Sequence, residues 1–88
     1  MRNGIIKYAN GGRSWYQNDQ LHREDGPAFE MADGTRSWWI NGQLHREDGP
    51  AIEYFDGRCS WYLNDISYTQ EDYEQELLAR KWGLSVDA

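Results

Sequence analysis

Two identical octapeptides, Leu21–Ala28 and Leu44–Ala51 (LHREDGPA), hold the residues of this chain best suited to chemistry. Each carries a histidine and two acids, His22, Glu24 and Asp25 in the first copy and His45, Glu47 and Asp48 in the second. Such residues ligate metals or act as general acid and base. Each copy offers one His and no Cys, so a metal site would borrow ligands across copies, for example His22 with Asp48. That reading makes the chain a metal-dependent enzyme built on His22, Asp25, His45 and Asp48. The competing reading is an architectural polar loop. In it Asp25 and Asp48 bond backbone N–H groups ahead of Gly-Pro, and Arg23 and Arg46 pair with acidic neighbours. No nucleophile elbow, phosphate-binding glycine loop or paired-carboxylate cleft accompanies the octapeptides. The expectation is a non-enzyme with no metal and no other cofactor.

The octapeptides belong to a longer repeat. Shifted by 23 residues, Arg13–Gly34 lies over Arg36–Gly57 with 16 of 22 pairs identical. A further shift puts Ser60–Asp65 over Ser37–Gly42, and Ile5–Tyr16 matches Ala28–Trp39, so two full units are flanked by two halves. Repeats of this period stack one supersecondary unit upon the next.

Each unit reads as a β-hairpin. The short β-prone runs Ile5–Ala9, Ala28–Ala32 and Ala51–Phe55 meet the turn signals Asn10-Gly11-Gly12, Asp33-Gly34 and Asp56-Gly57. The runs that follow, Arg13–Gln17, Arg36–Ile40 and Arg58–Leu63, close on Asn18-Asp19, Asn41-Gly42 and Asn64-Asp65. Asn-Gly and Asp-Gly favour tight hairpins in which both central residues reach positive φ. The pattern predicts a mainly β fold, an antiparallel meander of about six strands, over residues 5–68. From Thr69 the composition turns helical, with Thr69 as N-cap, acids in the first turn, Arg80 and Lys81 in the last and Gly83 at the left-handed C′ position. Residues 69–83 are expected to form one C-terminal α-helix that caps the stack, and 84–88 a tail, all within a single domain of 88 residues.

Lys and Arg number 9 against 15 Asp and Glu, a formal charge of −6. This disfavours direct binding of nucleic acid or an anionic membrane, both of which need clustered cations. A lone cysteine, Cys59, forbids an internal disulfide and suits a reducing compartment. With no apolar run of membrane-span length and no signal-peptide core after Met1, the chain reads as soluble and cytoplasmic, in the host cytoplasm if viral. The net charge divides evenly, −3 from seven basic and ten acidic residues over 1–69 and −3 from two and five over 70–88. The helix is therefore the densest negative feature, and Glu71, Asp72, Glu74 and Glu76 are candidate partner-facing residues.

Five Trp and six Tyr must carry burial that aliphatic residues usually carry. Trp15, Trp38 and Trp61 fall in register and are expected to form an aromatic ladder. Positions that differ between copies are better candidates for recognition, among them Tyr16, Trp39, Tyr62, Tyr54 and Phe55. Strand side chains alternate between faces, so a single-layer sheet with one short helix leaves some of these accessible. Trp and Tyr are favoured anchors of protein interfaces.

The 23-residue period, with an aromatic strand, Asn41-Gly42, His45 and a later Asp56-Gly57, resembles the MORN repeat, in particular a divergent, LHREDGPA-bearing branch of bacterial, phage and giant-virus proteins. The resemblance spans about Ile5 to Asp65. His45-Arg46-Glu47-Asp48-Gly49-Pro50 stands where the family usually has His-Gly-x-Gly. It implies a hairpin-repeat scaffold and protein–protein interaction, and supplies no catalytic residues. The expected function is a non-catalytic interaction module, a small acidic inhibitor of phage anti-defence or antitoxin type that blocks a larger protein. A basic nucleic-acid-binding complex is one class of target. A self-associating structural protein is the alternative, and the chain itself is expected to be a monomer or weak homodimer.

Overall fold

The computed structural model describes residues 2–83; the expected tail, 84–88, lies outside them. Ten strands precede one helix: β1 (Gly4–Lys7), β2 (Arg13–Gln17), β3 (Gln20–Leu21), β4 (Phe29–Glu30), β5 (Arg36–Ser37), β6 (Trp39–Ile40), β7 (Gln43–Leu44), β8 (Ile52–Glu53), β9 (Cys59–Leu63), β10 (Ile66–Tyr68) and α1 (Gln70–Lys81). All strand pairs are antiparallel, in the order β1-β2-β4-β5-β8-β9-β10, with β3 beside β2 and β6 paired to β7. The expected meander and C-terminal helix are present. The strands the sequence reading lacks are β3, β7 and β10, which begin just beyond the Asn turns. Two-residue strands such as Gln20–Leu21 are too short to show an alternating pattern.

The turns set the register. Asn18 and Asp19, Asn41 and Gly42, and Asn64 and Asp65 all sit at positive φ, between 50° and 78°. These are two-residue hairpin turns whose twist matches that of the strands. At Asp33-Gly34 and Asp56-Gly57 the expectation fails, because only the glycines are left-handed, at φ 97° and 90°. The Asp instead accepts a backbone hydrogen bond two residues on, Thr35 N–H to Asp33 Oδ1 at 2.9 Å and Arg58 N–H to Asp56 Oδ1 at 3.1 Å. This is the longer hairpin loop with one left-handed residue. A β-branched residue resists positive φ, so Asn18→Val should cost about 1–2 kcal/mol while Asn18→Gly leaves stability nearly unchanged. Urea unfolding of the two variants checks the difference.

β3 and β4 lie end to end along β2, and the first octapeptide leaves the sheet between them. β7 and β8 flank the second octapeptide in the same way, along β6 and β5. The chain runs straight through Trp38 between β5 and β6: its N–H bonds Ala51 O at 2.7 Å and its carbonyl accepts His45 N–H at 3.0 Å. At the start of the sheet Arg2-Asn3 takes the place of Leu21-His22. Asn18 N–H donates to Asn3 Oδ1 at 2.9 Å, as Asn41 N–H donates to His22 Nδ1 at 2.9 Å one unit on. Gly4, at φ 97°, turns the chain directly into β1 where later units insert a loop.

Alternation along the strands gives the sheet two unlike faces. One carries Trp15, Trp38 and Trp61 together with Arg13, Glu30, Arg36 and Glu53, and the octapeptides fold over it. The other carries the row Ser14, Phe29, Ser37, Ile52 and Ser60, flanked by Tyr16, Trp39 and Tyr62. Its serines are tied to the larger residues: Tyr8 Oη lies 2.9 Å from Ser14 Oγ, and Trp39 Nε1 donates to Ser37 Oγ at 2.8 Å. Met31 stands where unit one has Tyr8 and lacks its hydroxyl, so Trp39 supplies the partner for Ser37. The described residues form a slab of 46 × 33 × 18 Å with a radius of gyration of 14.1 Å, against about 12 Å for a rounded domain of this length. A slab this thin holds one sheet layer plus its loops.

Candidate functional site

Each octapeptide closes a cage around a tryptophan. The Arg23 guanidinium lies 4.1 Å from the Trp15 ring centre and Arg46 lies 3.8 Å from Trp38, with Arg13 and Arg36 farther out over the same rings. A guanidinium over an indole face is a favourable cation–π contact. The three tryptophans are in register as the repeat requires, but the ring-face partner of Trp15 and Trp38 is arginine rather than the neighbouring indole of the expected ladder. The physical reason is the loop, which returns over the sheet and sets Arg on the ring.

The Asp, Gly, Pro and Ala of the motif serve that arrangement. Asp25 Oδ1 accepts from Arg23 Nε at 2.9 Å and Asp48 Oδ1 from Arg46 Nε at 2.9 Å, so these carboxylates chiefly orient the arginine, with the expected backbone N–H role secondary. Pro27 O and Pro50 O accept from the same guanidinium groups. A Cβ on Gly26 or Gly49 would lie 2.9 or 3.0 Å from the guanidinium carbon, so a side chain there would have to displace the arginine from its ring. Ala28 and Ala51 are fully buried beneath the loop. The hydrogen bond from Arg23, then its charge, holds the Asp25 carboxyl below its ordinary 3.8.

The histidines tie one unit to the next. His22 Nδ1 accepts Asn41 N–H at 2.9 Å and His45 Nδ1 accepts Asn64 N–H at 3.0 Å, while each Nε2 faces a glutamate, Glu24 at 3.1 Å or Glu47 at 2.8 Å. Both ring nitrogens of each histidine are thus engaged. Among the described residues no group of three or more His, Cys, Asp or Glu is gathered as a metal site.

Helix α1 begins where a third loop would. Thr69 caps it, accepting Asp72 N–H at 3.1 Å, and Gly83 follows at φ 70°, as the sequence predicts. Tyr73 is buried against the second loop: its hydroxyl donates to Arg46 O at 2.5 Å and accepts Gly49 N–H at 3.2 Å. Two turns on, Arg80 Nη1 donates to Asn64 Oδ1 at 3.0 Å, and Leu63 beneath is 0% exposed. The helix therefore caps the stack by lying on the loop face of β9 and β10. Burial pushes the Tyr73 phenol above its ordinary 10.0. The folded state then holds this proton more tightly than the unfolded state, so the contribution is present below pH 10 and lost as pH rises through that range. Urea midpoints should fall more steeply above pH 10 for the wild type than for Tyr73→Phe; equal slopes would contradict the assignment.

Of the candidate recognition residues, Tyr54 is exposed, whereas Tyr16, Trp39 and Tyr62 are half-buried among their neighbours on the aromatic face. Glu71, Asp72 and Glu74 are exposed on the helix; Glu76 is half-buried and accepts from Arg80 Nε at 2.9 Å, which withdraws it from recognition. Besides Ile5, Ile66, Leu78 and Trp82 elsewhere, exposed apolar groups gather at the turns that follow β1, β4 and β8. Phe55 is 68% exposed, with Tyr8, Met31 and Tyr54 in equivalent places beside it along one rim of the sheet. Met31, like Tyr54, is a position that differs between copies, and Tyr8 lies outside the two full units; the signal they share is the place one residue past the β1, β4 and β8 ladders. Among the described residues no helix is long and apolar enough to cross a membrane. Comparison of the chain with protein-family models, curated proteins and solved structures gives no match.

Proposed function

We propose that this chain is a non-catalytic protein-interaction module, a MORN-like hairpin repeat that acts as a small acidic inhibitor by occupying a larger protein. The observation that carries the reading is the aromatic face. Its one helix lies on the opposite side of the sheet, so half-buried Tyr16, Trp39 and Tyr62 and the exposed rim of Tyr8, Met31, Tyr54 and Phe55 have no helix above them. Half-buried aromatics bordered by exposed apolar residues are the composition of interface anchors. The charge of −6 favours a partner with a basic surface, including a protein that itself binds nucleic acid. In the octapeptides the Arg, Asp, Gly and Pro hold the tryptophan cages and the histidines tie one unit to the next.

Affinity capture from the native host at low salt tests the reading, with Phe55→Glu beside the wild type. Phe55 is exposed, so the variant should melt like the wild type and lose the captured protein. Equal capture by both, or chaperones alone, would defeat the proposal. Self-association is the alternative, favoured by β1, whose outer edge is unpaired and whose Ile5 is exposed. A stable oligomer by light scattering would favour it; a dilute monomer removes it.

A further inference from the structure

The repeat supplies its own comparison for the space between the two loops. Over the second loop, helix α1 sets Tyr73 on Arg46 O and Gly49 N–H, places Arg80 on Asn64 Oδ1 and buries Leu63. Shifted back by 23 residues, those four positions are Arg23, Gly26, Asn41 and Ile40. All four line a groove of about 870 Å³ between the loops, with Trp38 also on its wall, a volume typical of a binding cleft. The residue 23 places before Tyr73 is Pro50, which lies in the second loop rather than on a helix and has no hydroxyl to engage the Arg23 carbonyl and Gly26 amide. Where the chain continues as a second loop instead of a helix, the preceding socket keeps its shape and lacks its tyrosine.

We propose that this groove is a docking site for a helix of a partner protein, one that carries a tyrosine and, seven residues later, an arginine or lysine. Residues seven apart lie on one helix face, two turns along, as Tyr73 and Arg80 do. The tyrosine hydroxyl donates to Arg23 O and accepts from Gly26 N–H, the cation reaches Asn41 Oδ1, and the helix between them covers Ile40. The exposed carboxylates of Glu24 and Glu47 border the groove, while Arg23 and Arg46 are turned into their own loops. A helix with a basic outer face is therefore preferred over an acidic one. This surface is on the opposite side of the sheet from the aromatic face and stands or falls separately from it.

The test uses the full chain, labelled for NMR, and a stapled helical peptide with the sequence of residues 69–83 carrying Glu71→Lys and Glu74→Lys. Amide shifts at Gly26, Ile40 and Asn41 should saturate below about 1 mM peptide. A peptide with Tyr73→Phe should bind about five- to tenfold more weakly, the effect of losing the hydroxyl's hydrogen bonds. Ile40→Gln in the protein should weaken binding without unfolding it, because Gln17 occupies that position in the first unit. No shift at these amides, equal binding by the Tyr73→Phe peptide, or shifts confined to Gly49 and Leu63 would each overturn the proposal. The last result would mean that the peptide only displaces the chain's own helix. Phe55→Glu should leave peptide binding unchanged, which separates this site from the aromatic face.

Discussion

Trp38→Ala is expected to lower stability by about 3–5 kcal/mol, a large share of the 5–15 kcal/mol typical of a whole domain. The indole is the floor on which the Arg46 guanidinium rests at 3.8 Å, and its backbone is bonded on both sides, to Ala51 and His45. Without the ring, Arg46 keeps its ties to Asp48, Pro50 and Glu53 but loses the surface that positions them. The second octapeptide should loosen as a unit, and with it the His45 bond to Asn64 that joins the second unit to β9. Thermal unfolding followed by circular dichroism reads the loss. Trp38→Phe should retain part of the stack and fall between the two. A melting curve unchanged by Trp38→Ala would show that the cages do not hold the fold.

The second large effect is expected at Tyr73. Its ring is 3% exposed and its hydroxyl bridges Arg46 and Gly49, so Tyr73→Ala should cost about 3–5 kcal/mol. Tyr73→Phe, which removes only the hydroxyl and leaves its two partners unmet, should cost about 1–3 kcal/mol. The loss has a location. Helix α1 meets the sheet through this side chain, Arg80 and the surface above Leu63, so amide protection should vanish first across Gln70–Lys81 while β2 and β4 keep theirs. Unaltered protection of the helix in Tyr73→Ala would refute the docking role.

The sequence made the repeat, its turns and the terminal helix legible because each depends on local chemistry. Asn-Asp and Asn-Gly demand left-handed backbone, and Thr69 and Gly83 mark helix ends. The role of LHREDGPA was only half legible. Its identity in two copies pointed to architecture, but that Arg23 lies on Trp15 depends on a loop folding back across the sheet, and no local pattern encodes that return. The Asp role was missed for the same reason: a carboxylate two residues from an arginine can serve backbone or guanidinium, and the indole beneath decides it. Half-burial of Tyr16, Trp39 and Tyr62 comes from neighbouring rings on one face, set by cross-strand register rather than by residue type. The Tyr73 socket was hidden because Tyr73 sits outside the repeat, so no second copy draws attention to it.

The central claim is that a protein partner is held on the aromatic face. Oxidative footprinting of the free chain and of the captured complex tests it most directly, since Met31, Tyr54 and Phe55 are exposed and oxidisable. These three should be labelled in the free chain and protected in the complex. Equal labelling of all three, free and bound, would contradict it.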